Sequence, residues 1–271
     1  MSLSDVGPVV LVGVGKMGMA LAQGWINGGL PPEQLVLVDT APSEAALKFA
    51  HDNGIRLLKN PSGVLVAVLV LAVKPQVMTQ VLAEVAPSVG RHTLVISIAA
   101  GIPLSTLADG LGTERVVRTM PNTPAQVGRG VTGAVGLGIS DEDVETTNDL
   151  LGAAGQVVWF NSEDMLDAVT AVSGSGPAYV FHFVEALAVA AMRQGLEPGP
   201  AMFLARQTVI GAAALMEADP QSVTVLRENV TSPKGTTAAA LEVLMGEGGL
   251  EQLMDRAVTA ARKRSEELGR G

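Results

Sequence analysis

The chain has 271 residues, room for one large or two medium domains. Its net charge of −9, from 18 basic and 27 acidic residues, argues against a nucleic-acid surface, which needs a clustered positive field. With no cysteine, it excludes disulfides, thiolate metal sites and a cysteine nucleophile.

In chain order, residues 9–12 (Val-Val-Leu-Val) form a short β-branched run that ends in Gly13-Val14-Gly15-Lys16-Met17-Gly18. A helical stretch follows, with Ala20, Leu21, Trp25 and Ile26 on one face. A second apolar run, 35–38, is closed by Asp39, and 45–51 reads as a helix. Residues 64–73 make a long Val/Leu run, the pattern of a central parallel strand covered on both faces. Lys74-Pro75 ends it, and 77–85 reads as the next helix. Strands are expected at 93–98 and 115–120, and two more at 131–137 and 157–160. Strands alternating with helices at this spacing predict βαβ crossovers and a doubly wound parallel sheet.

From about residue 161 the pattern turns all-helical, over 165–172, 178–194, 201–218, 222–229, 237–245 and 250–268. These segments are dense in Ala, Leu, Val and Met, too apolar for a lone bundle. Only 17% of the chain is charged, so a homo-oligomer is the simplest cover for its apolar surface. The basic cluster Arg262-Lys263-Arg264 is interleaved with Glu266 and Glu267 and reads as an exposed helix face. Residues 1–8 carry neither a basic start nor an apolar signal region. The longest purely apolar run, 64–73, is too short for a bilayer, which takes about 20 residues. The expectation is a soluble cytoplasmic protein with no membrane and no nucleic-acid partner.

The glycine turn follows a strand and opens a helix at the start of the alternation, the context that a dinucleotide-binding GxGxxG needs. Gly13 allows the tight turn, Gly15 lets the backbone approach a pyrophosphate, and Gly18 lets helix and strand pack closely. The helix N-terminus then presents free N–H groups to the phosphates. Asp39, 21 residues after Gly18, stands where a carboxylate commonly bonds the adenosine ribose hydroxyls of NAD. It would repel the extra phosphate of NADP; a turn or helix-capping aspartate is the plain alternative. No arginine follows closely, and Thr40, Ser43 and Lys48 are the nearest polar candidates. The cofactor is NADH or NADPH, with Asp39 leaning to NADH.

Oxidoreductases acting on alcohols usually need a proton acceptor, often His or a Lys/Tyr. Here His51 ends a helix pattern, His92 precedes a strand and His182 lies in an apolar helix. Tyr179, the one tyrosine, follows a Gly/Pro-rich stretch where packing explains it equally well. No histidine pair or HExxH spacing points to a metal, and none is expected. A protonated imine is already electrophilic at carbon. Hydride transfer to it needs positioning and water exclusion more than a strong acid.

Two stretches of the helical half stand out. In Ser173-Gly174-Ser175-Gly176-Pro177-Ala178-Tyr179, a loop is expected to precede a long helix, with Ser175 as cap and Pro177 in the first turn. A tight connector explains it equally well. In Asn229-Val230-Thr231-Ser232-Pro233-Lys234-Gly235-Thr236-Thr237, hydroxyls and a glycine open a helix. Its N–H groups at Gly235 to Thr237, with hydroxyls from Ser232 and the threonines, make a carboxylate-sized anion site, or else an ordinary helix cap.

Together these segments resemble the pyrroline-5-carboxylate reductase family, in order and over nearly the whole chain. The motifs are the Gly13 to Gly18 turn, Ala72-Val73-Lys74-Pro75-Gln76, Ser97-Ile98-Ala99-Ala100-Gly101, Met120-Pro121-Asn122-Thr123-Pro124 and the two stretches above. The resemblance implies an α/β chain: a Rossmann dinucleotide-binding domain over 1–160, then an all-helical substrate and dimerisation domain over 161–271. It implies reduction of 1-pyrroline-5-carboxylate to proline and helices that interlock with a second subunit. Members often assemble further into decamers. Carried over by position, Gly15, Lys16 and Met17 would meet the pyrophosphate side of the cofactor. Ala72, Val73, Lys74 and Pro75 would line its path, and Asn60 would reach the adenosine end. Ala99 and Asn122 would lie near the nicotinamide, Asn122 within reach of substrate. The loop Val230, Ser232, Gly235, Thr236 and Thr237 would hold the substrate carboxylate and ring nitrogen, with Thr237 in a proton relay. Two departures are Lys234, where the family usually has glycine, and Asp39, which is awkward for the NADPH that the family often prefers.

The rival readings are a reductase of another small cyclic imine and a protein that senses NAD(P) without turnover. A β-hydroxyacid reductase would need a catalytic lysine on an interdomain helix, and residues 161–230 contain none.

Overall fold

Strands of three to eight residues set the frame of the computed structural model, which describes residues 3–269. They are β1 (Val9–Val12), β2 (Leu35–Val38), β3 (Arg56–Leu58), β4 (Val68–Leu71), β5 (Leu94–Ser97), β6 (Val116–Met120), β7 (Gly130–Leu137) and β8 (Gly155–Trp159). They form one sheet in the order β3-β2-β1-β4-β5-β6-β7-β8. All residues of β1, β2, β4 and β5 are buried, as parallel strands covered on both faces must be. Alternation divides them between two cores. Val9 and Leu11 join Trp25, Leu150 and Leu151 on one face; Val10 and Val12 join Leu82, Leu107 and Leu166 on the other.

The covering helices are α1 (Lys16–Asn27), α2 (Glu44–Asn53), α3 (Met78–Val85), α4 (Leu104–Leu111) and α5 (Asp141–Gly152). The α1–α5 approach is close, since a Cβ on Gly24 would stand 2.8 Å from the Ala153 carbonyl oxygen. Buried Trp25 donates its indole N–H to Leu150 O at 2.7 Å across that contact.

The sheet is doubly wound and parallel as expected, with one antiparallel ladder. β7 runs antiparallel to β6, with Val116 opposite Leu137 and Met120 opposite Gly133. The link 121–129, holding the 3₁₀ turn Thr123–Val127, is shorter than the dozen or more residues of a parallel crossover, so the chain doubles back. β4 is also shorter than the apolar run 64–73, because the chain ahead of Val68 is not in the sheet and Leu65 is 79% exposed.

A second correction concerns 173–179, which is helix and not loop. α6 (Met165–Val169) passes through a π turn at Thr170–Gly174 into α7 (Gly176–Arg193). Ser175 N donates to Thr170 O at 2.9 Å and keeps αR dihedrals, so Ser175 closes the π turn and passes the chain directly into α7. Pro177 lacks the N–H that an α turn would use, and a widened turn just before it relieves the clash with the preceding carbonyl.

By contacts the described residues form two compact units, 3–175 with 261–269 and 176–260. In the second, α7 packs on α8 (Pro198–Ala218), followed by α9 (Val223–Asn229), α10 (Thr236–Leu244) and the start of α11 (Leu250–Gly269). Only Ala188, Ala201 and Ala205 are buried there, while Phe181, Phe203 and Val243 are 65%, 64% and 76% exposed. The continuous helical stretch Met165–Arg193 has, by length and composition, what crossing a membrane takes. Counting uninterrupted apolar runs overlooks it, because serines, glycines and His182 break the run without ending the helix.

Away from the glycine turn, one ion pair ties three elements of the first unit. Arg115 donates from Nε to both carboxylate oxygens of Asp143 at 2.9 Å, and from Nη1 to the His92 carbonyl oxygen. Asp143 also closes a capping box with Ser140 at the start of α5. Burial raises the Asp143 pKa, but hydrogen bonds from Arg115 and Ser140 outweigh it and leave the carboxyl below its ordinary range. A depressed folded-state pKa supplies stability that is complete above the unfolded value, about 3.9, and lost as pH falls through the folded value. Asp143→Ala is expected to lose about 3 kcal/mol in urea unfolding at pH 7, since it strands a half-buried guanidinium. The gap from the parent should narrow below about pH 4; a gap that stays constant there would show that the ion pair is not its source.

Candidate active site

The glycine turn sits at the carboxyl end of β1, where the strand order reverses between β1 and β4. This is the crevice in which open α/β sheets bind ligands. Gly13 has φ +93, a conformation side chains avoid, and a Cβ there would stand 2.7 Å from the Ala72 carbonyl oxygen. A Cβ on Gly18 would lie 2.2 Å from the Gly13 carbonyl oxygen. Gly15 has nothing within 4 Å of the corresponding point, which leaves the backbone open to a ligand. Sheet hydrogen bonds fasten the turn on both sides, Gly13 N to Val38 O at 2.8 Å and Ala72 N to Val12 O at 2.7 Å.

Asp39 fastens it a third time. Its Oδ2 accepts from Val14 N and its Oδ1 from Ala41 N, both at 2.8 Å. A cleft of about 350 Å³ opens here, a size that suits part of a nucleotide. It brings together Gly13, Gly15, Asp39, Asn60, Ala72, Val73 and Lys74 of the expected set. An open glycine backbone, a carboxylate just past the end of β2 and a helix N-terminus fit a dinucleotide.

The remaining expected residues lie nearby in the sheet or elsewhere. Lys16, Met17 and Gly18 run from the turn into α1, and Pro75 opens the 3₁₀ turn Pro75–Val77. Ala99 follows β5, buried, its N–H directed to Ser97 Oγ at 3.3 Å. Asn122 follows β6, 8% exposed, its Oδ1 accepting from Val131 N at 2.9 Å. Both follow carboxyl ends of parallel strands, on the same edge of the sheet as the glycine turn.

Val230, Ser232, Gly235, Thr236 and Thr237 belong to the second unit and make a loop of their own. Gly235 is the N-cap of α10, its N–H donating to Ser232 O at 3.0 Å. A Cβ on Gly235 would stand 2.3 Å from Ser232 Oγ, so glycine keeps the serine hydroxyl beside the helix start. The first N–H groups of α10 have no partner within the helix. Val230 and Thr236 are exposed and Thr237 is half-buried. Lys234, at φ +60, is the one non-glycine residue with positive φ among the described residues.

Sequence reasoning missed Lys59, which lines the cleft with Asp39, Thr40 and Asn60. It follows β3, a three-residue strand too short to show a period. Of the phosphate candidates considered above, Ser43 caps α2 by accepting from Ala46 N, and Lys48 pairs with Asp52 at 2.5 Å.

Residues 163–268 match a family described as pyrroline-5-carboxylate reductase dimerisation, and residues 8–101 one described as NADP oxidoreductase, coenzyme F420-dependent. Among curated proteins, the pyrroline-5-carboxylate reductase of Pisum sativum is 37% identical over 98% of this chain and 97% of its own. That of Pseudomonas aeruginosa is 39% identical over 96% of each. Among solved structures, a pyrroline-5-carboxylate reductase from Coxiella burnetii has a TM-score of 0.90 at 36% identity, covering 97% of this chain and 99% of its own. The Plasmodium falciparum pyrroline carboxylate reductase with NADP bound has a TM-score of 0.80 at 29% identity, covering 97% and 98%.

The geometry of the turn separates two glycines experimentally. Gly15→Ala meets open space and is expected to change stability by less than about 1 kcal/mol, yet weaken dinucleotide binding about tenfold or more by blocking the pyrophosphate. Gly18→Ala must displace a backbone carbonyl and is expected to cost about 2 kcal/mol of stability. Thermal unfolding beside cofactor titration checks both; equal losses of stability would contradict the geometry.

Proposed function

The chain belongs to the pyrroline-5-carboxylate reductase family, and from that premise we propose that it reduces the C=N bond of 1-pyrroline-5-carboxylate to L-proline, the last step of proline biosynthesis. It is an NAD(P)H-dependent oxidoreductase. The observation that carries this reading is that likeness runs through both halves, the dinucleotide cleft and the helical dimerisation region, in one chain of matching length.

Bound NAD(P)H supplies the hydride. The chain's own residues bind and orient. Gly13, Gly15, Lys16, Met17 and Gly18 take the pyrophosphate, where the α1 N-terminus favours negative charge. Asp39 and Asn60 serve the adenosine end, Ala72, Val73, Lys74 and Pro75 line the path, and Ala99 and Asn122 flank the nicotinamide. Val230, Ser232, Gly235, Thr236 and Thr237 hold the substrate carboxylate and ring nitrogen on the first turn of α10. Thr237 relays a proton through its hydroxyl to the ring nitrogen. In this reading residues 1–160 form the dinucleotide-binding domain and 161–271 the substrate and dimerisation domain. The exposed apolar faces of α7, α8 and α10 are covered by a second copy, which excludes water from the reacting carbon. Dimers then associate into a decamer, and the enzyme works in the cytoplasm.

Three measurements test this. Substrate-dependent oxidation of NADH or NADPH by pyrroline-5-carboxylate is expected; folded, cofactor-binding protein that turns over neither would shift the reading to another cyclic imine, then to an NAD(P) sensor. Thr237→Ala is expected to lower kcat/KM about a hundredfold with cofactor affinity unchanged, and unaltered steady-state constants would remove Thr237 from the mechanism. Light scattering is expected to give at least twice the 27.8 kDa of one chain, and a mass of 27.8 kDa would refute the dimer.

A further inference from the structure

We propose that Lys59 is the specificity-determining residue that lets the cleft accept the 2′-phosphate of NADPH beside the carboxylate of Asp39. The inference rests on the dinucleotide reading of the cleft.

Asp39 alone would disfavour NADPH. Its two oxygens each accept one backbone N–H, which fixes the carboxylate in place but does not remove its charge. A phosphate on the adenosine ribose would meet that charge directly. A compensating cation has to come from a residue next to Asp39, and the first candidates in sequence do not supply it. Lys48 is committed to Asp52 on the exposed side of α2, and Ser43 to its own helix.

The sheet brings Lys59 there. β3 is the neighbour of β2, and Asp39 N donates to Leu58 O at 3.0 Å. Lys59 is the next residue, so it leaves the sheet beside Asp39 and lines the same cleft. Thr40 and Asn60 flank it with a hydroxyl and an amide; Asn60 Oδ1 accepts from Ser62 N, which leaves the amide group to donate. The ion pairs found among the described residues leave Lys59 out, and the residue is exposed. The other charges facing the cleft are Lys74 and Glu84. Lys74 follows β4, three strands away from β3 and across the glycine turn. Glu84 accepts from Gln80 at 2.8 Å. An ammonium is a compact charge suited to a phosphate monoester, and Lys59 is the one at the adenosine end.

The test is equilibrium binding of NADPH, NADH, 2′,5′-ADP and 5′-AMP to the full-length protein, by fluorescence and calorimetry. Lys59→Met is expected to weaken NADPH and 2′,5′-ADP about tenfold, a loss of one charge-assisted contact. NADH and 5′-AMP should move by less than about twofold, since no phosphate contact is lost. Lys59→Arg should retain most of the NADPH affinity. Asp39→Asn, which keeps an acceptor for the backbone, should shift preference toward NADPH. Parallel weakening of both dinucleotides, or no change in either, overturns the assignment. If Lys59→Met shows no selectivity while the parent turns over pyrroline-5-carboxylate, this proposal falls and the reductase reading stands. If selectivity appears without turnover, the reverse holds. Folded parent protein that binds neither dinucleotide overturns both.

Discussion

The carbonyl oxygen of Gly13 and the α-carbon of Gly18 come so near that no side chain fits between them. That approach sets how steeply α1 leaves β1, and hence where the first N–H groups of the helix point. The surrounding bonds hold the geometry from three directions. Gly13 is tied to β2, Ala72 ties β4 to β1, and the Asp39 carboxylate holds Val14. A loop held by the hydrogen bonds of its own sheet cannot drift without unpicking the sheet. The position of the anion-binding end is therefore as firm as the core beneath it, where Val9 to Leu11 have no exposed surface.

This arrangement places strong charge–charge interactions away from the site. The most buried ion pair, Arg115 with Asp143, braces the start of β6 and the cap of α5. The cleft itself offers glycine backbone, a fixed carboxylate and exposed lysines, and the loop ahead of α10 offers hydroxyls and helix N–H groups. None of these is a strong general acid. Such a set suits hydride transfer to a cationic C=N carbon, where orientation and dryness carry more of the barrier than proton donation.

The sequence exposed most of the sheet, because its central strands are β-branched and buried on both faces. It hid the elements whose pattern is masked. β3 is three residues long and partly exposed. α4 is only eight residues and contains Gly110 against Leu82. α5 buries Thr146 and Thr147 where a helix usually shows aliphatic residues, so its period does not read as apolar. β7 was legible as a strand, but its antiparallel direction was not: strand direction depends on connection length, and the 3₁₀ turn at Thr123–Val127 looks like an ordinary loop. The cleft followed the same rule. Gly13, Gly15, Asp39 and the Ala72 to Lys74 stretch sit at ends of legible strands, whereas Lys59 follows an illegible one. The Ser173 to Tyr179 stretch misled because its composition is that of a loop, while its backbone keeps helical bonds through a wider turn.

The thin burial of the second unit has a consequence for how the protein is made. With three alanines as its only buried residues, residues 176–260 carry too little core to hold their helices by themselves. Their folding free energy must come largely from meeting another copy, so maturation includes a bimolecular step and its rate rises with subunit concentration. A nascent chain at low expression would linger with Phe181 and Phe203 bare, in the form that chaperones retain and proteases clear. Abundance in the cell would then respond to synthesis rate more steeply than in proportion.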